Sequence, residues 1–442
     1  MSTLSPSRFF SLPPVSSAVL KNGLKVYVVQ RRELPLASIH LVLPCGAEAD
    51  PPGRAGLAHL TAEMLTLGTR KRSASQLAAE VDGMGASLSA SSGWNSTSLN
   101  LFGLSEDFQR LIDLLLEVYT EPAFLPEEFE QLKQRRIAAL VQQKDESQII
   151  ADERFQELLF QGTPYDHPVY GTLKSLPPLL CGESHDFYRR TFLPPGSLLV
   201  MTGDLEAEAC FRWAEDHFPP AVPGSPSFGP EESPSPSSAA VRTILLDRPE
   251  LTQSQIRLGH IGIPHAHPDY LAFEVMSYIL GAGGFASRLM RRIRSDLGFT
   301  YGIRGSLEPR KHSGPFTIST FTPTETTFPC VQEIFSVIRS FVGEGATDQE
   351  REEAVSFLTG SYPMKFETLS QVAYRIIQAE LHDLGWEYLA RYPERISTIS
   401  LEDLARVARA HIHPERMLII VVGRVEKFRR EFEQLGPVEM ME

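Results

Sequence analysis

The chain has 442 residues, enough for two to four domains at ~100–200 residues each. Its 42% apolar and 22% charged residues match a globular protein with a sizeable core. A net charge of −13 argues against nucleic-acid binding, which needs a basic footprint, and leaves open a basic or unfolded polypeptide as ligand.

No apolar run reaches the ~18 residues of a membrane helix, so no membrane span is expected. Met1 to Val15 carries one Arg and a short apolar patch broken by Pro13 and Pro14, a poor signal peptide. A cytoplasmic setting is expected, with a periplasmic one open if a leader has been removed. Cys45, Cys181, Cys210 and Cys330 are far apart, form no CxxC, and read as free thiols.

In chain order, strand-like runs cover residues 24–29 and 38–43. Helical spacing follows over 56–67, 108–119 and 126–143. Residues 187–205 read as a helix, a Pro turn, an apolar strand and a Gly. Pro219 to Ala240 is mostly Pro, Ser and Gly, a composition that builds no core and marks a linker. Beyond it the pattern returns. Strands are predicted at 242–246 and 255–260, helices at 268–280, 287–297 and 347–362, and a second helix–Pro–strand–Gly run at 404–425. The spacing predicts two tandem homologous α+β domains, each a mainly antiparallel sheet with helices packed mostly on one face. Their limits are 1–218 and 241–442, with 219–240 between.

Gly56 to Thr69 reads GLAHLTAEMLTLGT. It resembles the zinc helix of the pitrilysin, insulinase and mitochondrial-processing-peptidase family, G-x-A-H-x-x-E-H-M-x-x-x-G-T, the inverzincin motif. In that family two His one turn apart bind zinc, a Glu beside the second activates the metal-bound water, and a distal Glu completes the site. Here His59 matches the first ligand, Ala62 replaces the base and Glu63 replaces the second His. The alignment puts Ala139 at the distal Glu. His59 and Glu63 share a helix face, but two ligands without a base predict no metal site in this chain.

The second half keeps more of the family pattern. Leu280 to Leu289 reads LGAGGFASRL and resembles its glycine-rich turn, in which Gly283, Gly284 and Ser287 are implied substrate-binding positions. A phosphate cradle would need a P-loop Lys, which is missing. Arg291 to Gly302 reads RRIRSDLGFTYG and resembles the L-R-x-x-x-G-L-x-Y signature. The resemblance implies that Arg294 and Tyr301, seven apart, hold substrate backbone and stabilise the oxyanion across a closed cleft. A guanidinium and a phenol are suitable donors for a carbonyl oxygen that gains charge. Tyr301 is expected to begin a strand. Asp166 to Thr172, DHPVYGT, also resembles a family segment. His167 there, and His265 and His267 in a Pro-flanked turn, read as structural rather than metal-ligating.

The resemblance spans about Leu20 to Val425. It implies the non-zinc subunit of a heterodimeric zinc metallopeptidase, inactive alone. Such a chain supplies Arg294 and Tyr301 in trans to a homologous HxxEH partner that holds the zinc, and peptides are the substrates. The alternatives are a structural or peptide-binding relative and, less in keeping with Ala62, an independent zinc peptidase with altered ligands.

Overall fold

A computed structural model describes residues 12–192, 196–219 and 240–441. Nearly all of the Pro219–Ala240 linker lies outside the described residues. Strands of the first half are β1 Val15–Val19, β2 Lys25–Gln30, β3 Leu36–Leu43, β4 Ser87–Ser92, β5 Thr97–Leu104 and β6 Leu198–Gly203. Its helices are α1 Leu57–Met64, α2 Ala74–Gly83, α3 Phe108–Thr120, α4 Pro126–Gln143, α5 Ser147–Leu159, α6 Cys181–Thr191 and α7 Ala207–His217. The second half contributes β7 Arg242–Asp247, β8 Gln253–Ile261, β9 Ile303–Leu307, β10 Pro315–Pro323, β11 Leu418–Gly423 and β12 Val438–Met441. Its helices are α8 Tyr270–Ser277, α9 Thr327–Glu344, α10 Asp348–Gly360, α11 Leu369–Leu381, α12 Tyr388–Ser397, α13 Leu401–His411 and α14 Arg429–Phe432.

Helix starts follow local chemistry. Ser73, Thr347, Thr368 and Ser400 each accept a bond from the backbone N–H three residues on and complete capping boxes at α2, α10, α11 and α13. Pro126 opens α4, where its missing N–H costs no helix bond.

The sheets run β1-β2-β6-β3-β5-β4 and β12-β7-β11-β8-β10-β9. Leaving aside the edge strands β1 and β12, both halves have one order: the first strand beside the last, then the second, fourth and third. In both, the first and last strands pair in parallel and the other pairs are antiparallel. This is the tandem α+β repeat. The edges differ: β1 is antiparallel to β2, whereas β12 is parallel to β7.

Central strands are buried on both faces, so they read as near-continuous apolar runs. On β2, Val26 and Val28 face the helices of the first half, while Tyr27 and Val29 face the second half's core. On β11, Ile419 and Val421 face their own helices, and Leu418, Ile420 and Val422 face α5. Each half's own helices thus lie mainly on one face of its sheet. The other face takes a helix from the opposite half: α11 lies on β3 and β6, and α5 lies on β8 and β11. Ala151, Phe155, Leu158 and Leu159 of α5 form one buried cluster with Ile244, Leu246 and Ile420. Burial of each large side chain there contributes ~1.5–3 kcal/mol. Polar contacts follow the exchange: Lys25 Nζ meets Glu380 Oε2 at 2.8 Å, and Thr202 Oγ1 donates to the Leu369 carbonyl at 3.1 Å.

Candidate functional site

Helix α1 is positioned by two features outside it. Gly56 has φ +92°, and a Cβ there would lie 2.9 Å from the Gly171 Cα, so only glycine fits. Asp50 accepts the N–H groups of Gly56 and Ala58 at 2.8 and 2.7 Å, satisfying donors left open at the helix start. His59 is 4% exposed, and its Nε2 lies 3.3 Å from Glu63 Oε1 one turn on. The edge of Tyr170 packs on the His59 ring, centroids 4.7 Å apart, and the Arg136 guanidinium lies 4.0 Å from the Tyr170 centroid. Burial pushes the Glu63 carboxyl up, but the adjacent His59 imidazole and the charges of Arg136 and Arg135 outweigh it and hold the carboxyl below its ordinary value.

These residues do not fit a resident zinc. Among the described residues no third His, Cys, Asp or Glu joins His59 and Glu63 at metal-ligand distance. Arg136 brings positive charge to Glu63, which disfavours a divalent cation. Ala62, at the position of the base, is fully buried in the core. Ala139 is half-buried on α4, one turn beyond Arg136. Arg136 and Tyr170 carry this arrangement, and a motif search alone passes over both.

The second group lies after α8. The helix passes into a π-helical turn, Tyr278–Ala282, then a short 3₁₀ turn, Gly284–Ala286. A Cβ on Gly281 would lie 2.5 Å from the Gly305 nitrogen, so glycine allows this turn to touch β9. Ser287 is fully buried, and its Oγ donates to the Gly284 carbonyl at 2.8 Å. In this conformation Ser287 builds the turn, while Gly284 to Ala286 face solvent and Gly283 is half-buried.

The helix predicted over 287–297 forms, but Met290–Asp296 is π-helical rather than α-helical. Leu297 N–H bonds the Arg292 carbonyl at 3.2 Å, closing an i→i+5 turn. Tyr301 does not begin a strand. It lies in the bend before β9, which starts at Ile303, and is 78% exposed. The Arg294 guanidinium lies 4.8 Å from the Tyr301 ring centroid and 4.4 Å from that of Phe285, which is 70% exposed. A cation between two exposed aromatic rings is held by cation–π attraction, ~0.5–1 kcal/mol per ring at such sites. The structure therefore brings Arg294 and Tyr301 together by stacking and adds Phe285. The glycine-rich segment contained that residue, but only its glycines and Ser287 drew attention.

Comparison with known proteins identifies the family. Residues 25–173 match the family model described as insulinase (peptidase family M16), and residues 182–358 match the peptidase M16 inactive domain. A non-peptidase homolog, YmxG, from Helicobacter pylori is 25% identical over 92% of this chain and 94% of its own. An uncharacterized zinc protease from Rickettsia bellii is 25% identical over 80% of this chain and 84% of its own. The crystal structure of a peptidase M16 inactive domain from Pseudomonas fluorescens superposes with a TM-score of 0.84 at 24% identity, covering 93% of this chain and 98% of that one. The two matched segments follow one another along most of the chain and share one family. On that ground the protein belongs to peptidase family M16.

Proposed function

We propose that the chain is the non-zinc subunit of a two-chain M16 metallopeptidase. One observation carries this reading: a chain whose α1 lacks the base and the second His ligand still presents Arg294 and Tyr301 together on its surface. In the assembled enzyme Arg294 and Tyr301 bind the substrate backbone and donate to the carbonyl oxygen as it gains charge. Gly283 and Gly284 line the same edge. The zinc and its base belong to a homologous HxxEH partner, and this chain holds no catalytic metal. The domain limits 1–218 and 241–442 and a cytoplasmic setting are part of the proposal. Among the described residues no helix is long and apolar enough to cross a membrane.

Co-expression with an HxxEH homologue, followed by a peptidase assay on the purified complex, tests this. The expected result is chelator-sensitive cleavage by the complex and none by either chain alone. Full activity of the partner alone would overturn it. A second reading, a structural or peptide-binding relative, is favoured by the likeness to a protein named a non-peptidase homolog. It predicts stable assembly whose cleavage rate is indifferent to Tyr301.

A further inference from the structure

The turn before α8 and the last turn of α13 meet, although 142 positions separate Asp269 from His411. Three donors converge there. His411 Nε2 lies 2.7 Å from Asp269 Oδ2, and His267 Nδ1 lies 4.0 Å from the same oxygen. One ligand atom from each residue falls within 4.8 Å of the others. We propose that His267, Asp269 and His411 form a binding site for a divalent metal of the zinc type.

Three observations favour a cation here over a plain polar contact. First, the Asp269 backbone N–H donates to His267 Nδ1 at 3.1 Å, so that nitrogen carries a lone pair rather than a proton. An unprotonated Nδ1 can serve as a ligand once a metal displaces that N–H bond. Second, Arg406 Nη2 holds the other carboxylate oxygen, Oδ1, at 2.8 Å, which fixes the carboxylate and leaves Oδ2 to the cluster. Outer partners of this kind orient metal-binding carboxylates. Third, the spacing brackets that of a tetrahedral site. Bonds of ~2.0–2.1 Å put neighbouring ligand atoms about 3.3 Å apart. The 2.7 Å contact must open and the 4.0 Å contact close, each by about 0.6 Å, and the two imidazole nitrogens, within 4.8 Å of each other, must close by up to about 1.4 Å, movements that side-chain rotation supplies.

Two imidazoles and one carboxylate suit Zn²⁺, Co²⁺ or Ni²⁺ better than Ca²⁺ or Mg²⁺, which prefer oxygen ligands. Binding replaces the His411–Asp269 hydrogen bond and the Asp269 N–H bond to His267. The Arg406 charge opposes it, so the affinity is moderate rather than that of a structural zinc finger. The three residues are all partly exposed, at 33%, 15% and 17% of their side chains for His267, Asp269 and His411, so metal has access. The site is separate from the His59–Glu63 pair, which α1 carries on the other half. A bound metal here is a clamp joining α8 to α13.

The test is titration of the chelator-treated full chain with Co²⁺ and Zn²⁺, read by calorimetry and by the visible Co²⁺ spectrum. The melting temperature is recorded with and without metal. The expected result is one equivalent bound, a Co²⁺ spectrum characteristic of nitrogen ligands, and a metal-dependent rise in melting temperature. His267→Ala and His411→Ala should each weaken binding by at least ~10-fold, whereas His59→Ala leaves it unchanged. His267 is the most exposed of the three, so its variant keeps the test valid if loss of His411 disturbs α13. No stoichiometric binding below about 1 mM, affinity indifferent to both variants, or loss of binding in His59→Ala would each overturn the site. All these readouts are independent of peptidase activity.

Discussion

Arg257 of β8 grips both carboxylate oxygens of Asp152, which lies on α5 in the opposite half of the chain. The Arg257 side chain is 4% exposed and also donates to the Ile256 and Thr320 carbonyls. Asp152→Ala removes the carboxylate that, among the described residues, pairs with this buried cation. Asp152 is itself half-exposed, so the expected loss is about 1–2 kcal/mol, below that of a fully buried pair. A lower melting temperature with an unchanged far-UV spectrum is the result to look for. An unaltered melting temperature would mean that water replaces the carboxylate at no cost.

The same exchange makes the halves interdependent. A fragment of residues 241–442 lacks α5 and bares Ile244, Leu246, Ile420 and Val422. It should bind a hydrophobic dye and aggregate when expressed alone, and recover when co-expressed with residues 1–218. A soluble, dye-silent fragment would show that another element seals that face.

Tyr301→Phe keeps the ring beside Arg294 and removes one hydroxyl. In the proposed complex with an HxxEH partner it should leave assembly intact and lower turnover by ~10²–10³, as for a lost oxyanion donor. Arg294→Ala should cost at least as much and raise KM. Phe285→Ala should weaken catalysis less than either, because it frees the guanidinium without removing it. Three variants with normal turnover would leave the structural reading standing.

Glu48 gives a pH dependence. Its side chain is 2% exposed, and it accepts from Asn95 and, at 3.5 Å, from the Tyr165 hydroxyl, with His312 Nε2 3.8 Å away and Lys311 nearby. Burial pushes the carboxyl up to about 7, against bonds from Asn95 and Tyr165 and the Lys311 charge that pull it down. The folded chain therefore holds this proton more tightly than the unfolded one. Its contribution to stability is fully present below about pH 4.5 and is lost as pH rises through about 7. The span corresponds to about 3 kcal/mol. Melting temperature measured from pH 5 to pH 8 should fall more steeply for the natural protein than for Glu48→Gln. Parallel profiles would remove Glu48 from the account.

What could be read in the sequence was local. The runs at Val26–Val29 and Ile419–Val422 mark strands because both of their faces are buried. The repeated helix–Pro–strand endings reveal the duplication. Six strands escaped notice: Val15–Val19 and Val438–Met441 are short and only partly buried, four of the six residues of Ser87–Ser92 are serine, and Thr97–Leu104, Ile303–Leu307 and Pro315–Pro323 alternate polar with apolar residues instead of forming an apolar run. Periodicity says that a face is buried, not what buries it, so the exchange of α5 and α11 was invisible. Spacing over seven residues does not separate i→i+4 from i→i+5 bonding, so the π-turn at Arg294 was invisible too. At α1 the sequence showed what was lost, the base and two ligands. It did not show Arg136 and Tyr170 packed around the remaining pair, because they meet His59 only through the fold. His267 read as a plain turn residue for the same reason, since its neighbour His411 is supplied by another helix.

Because α11 covers the first sheet, synthesis leaves that sheet incomplete for a long time. β6 closes the first sheet at Gly203, but the helix that seals its second face ends at Leu381, roughly 180 residues later. At about 5–20 residues per second, the ribosome takes ~10–40 s to deliver it. Throughout that interval Val29, Val42 and Val200 face water on a nascent chain. The first half therefore emerges with one apolar face of its sheet uncovered, and that face is completed only when α11 has been made.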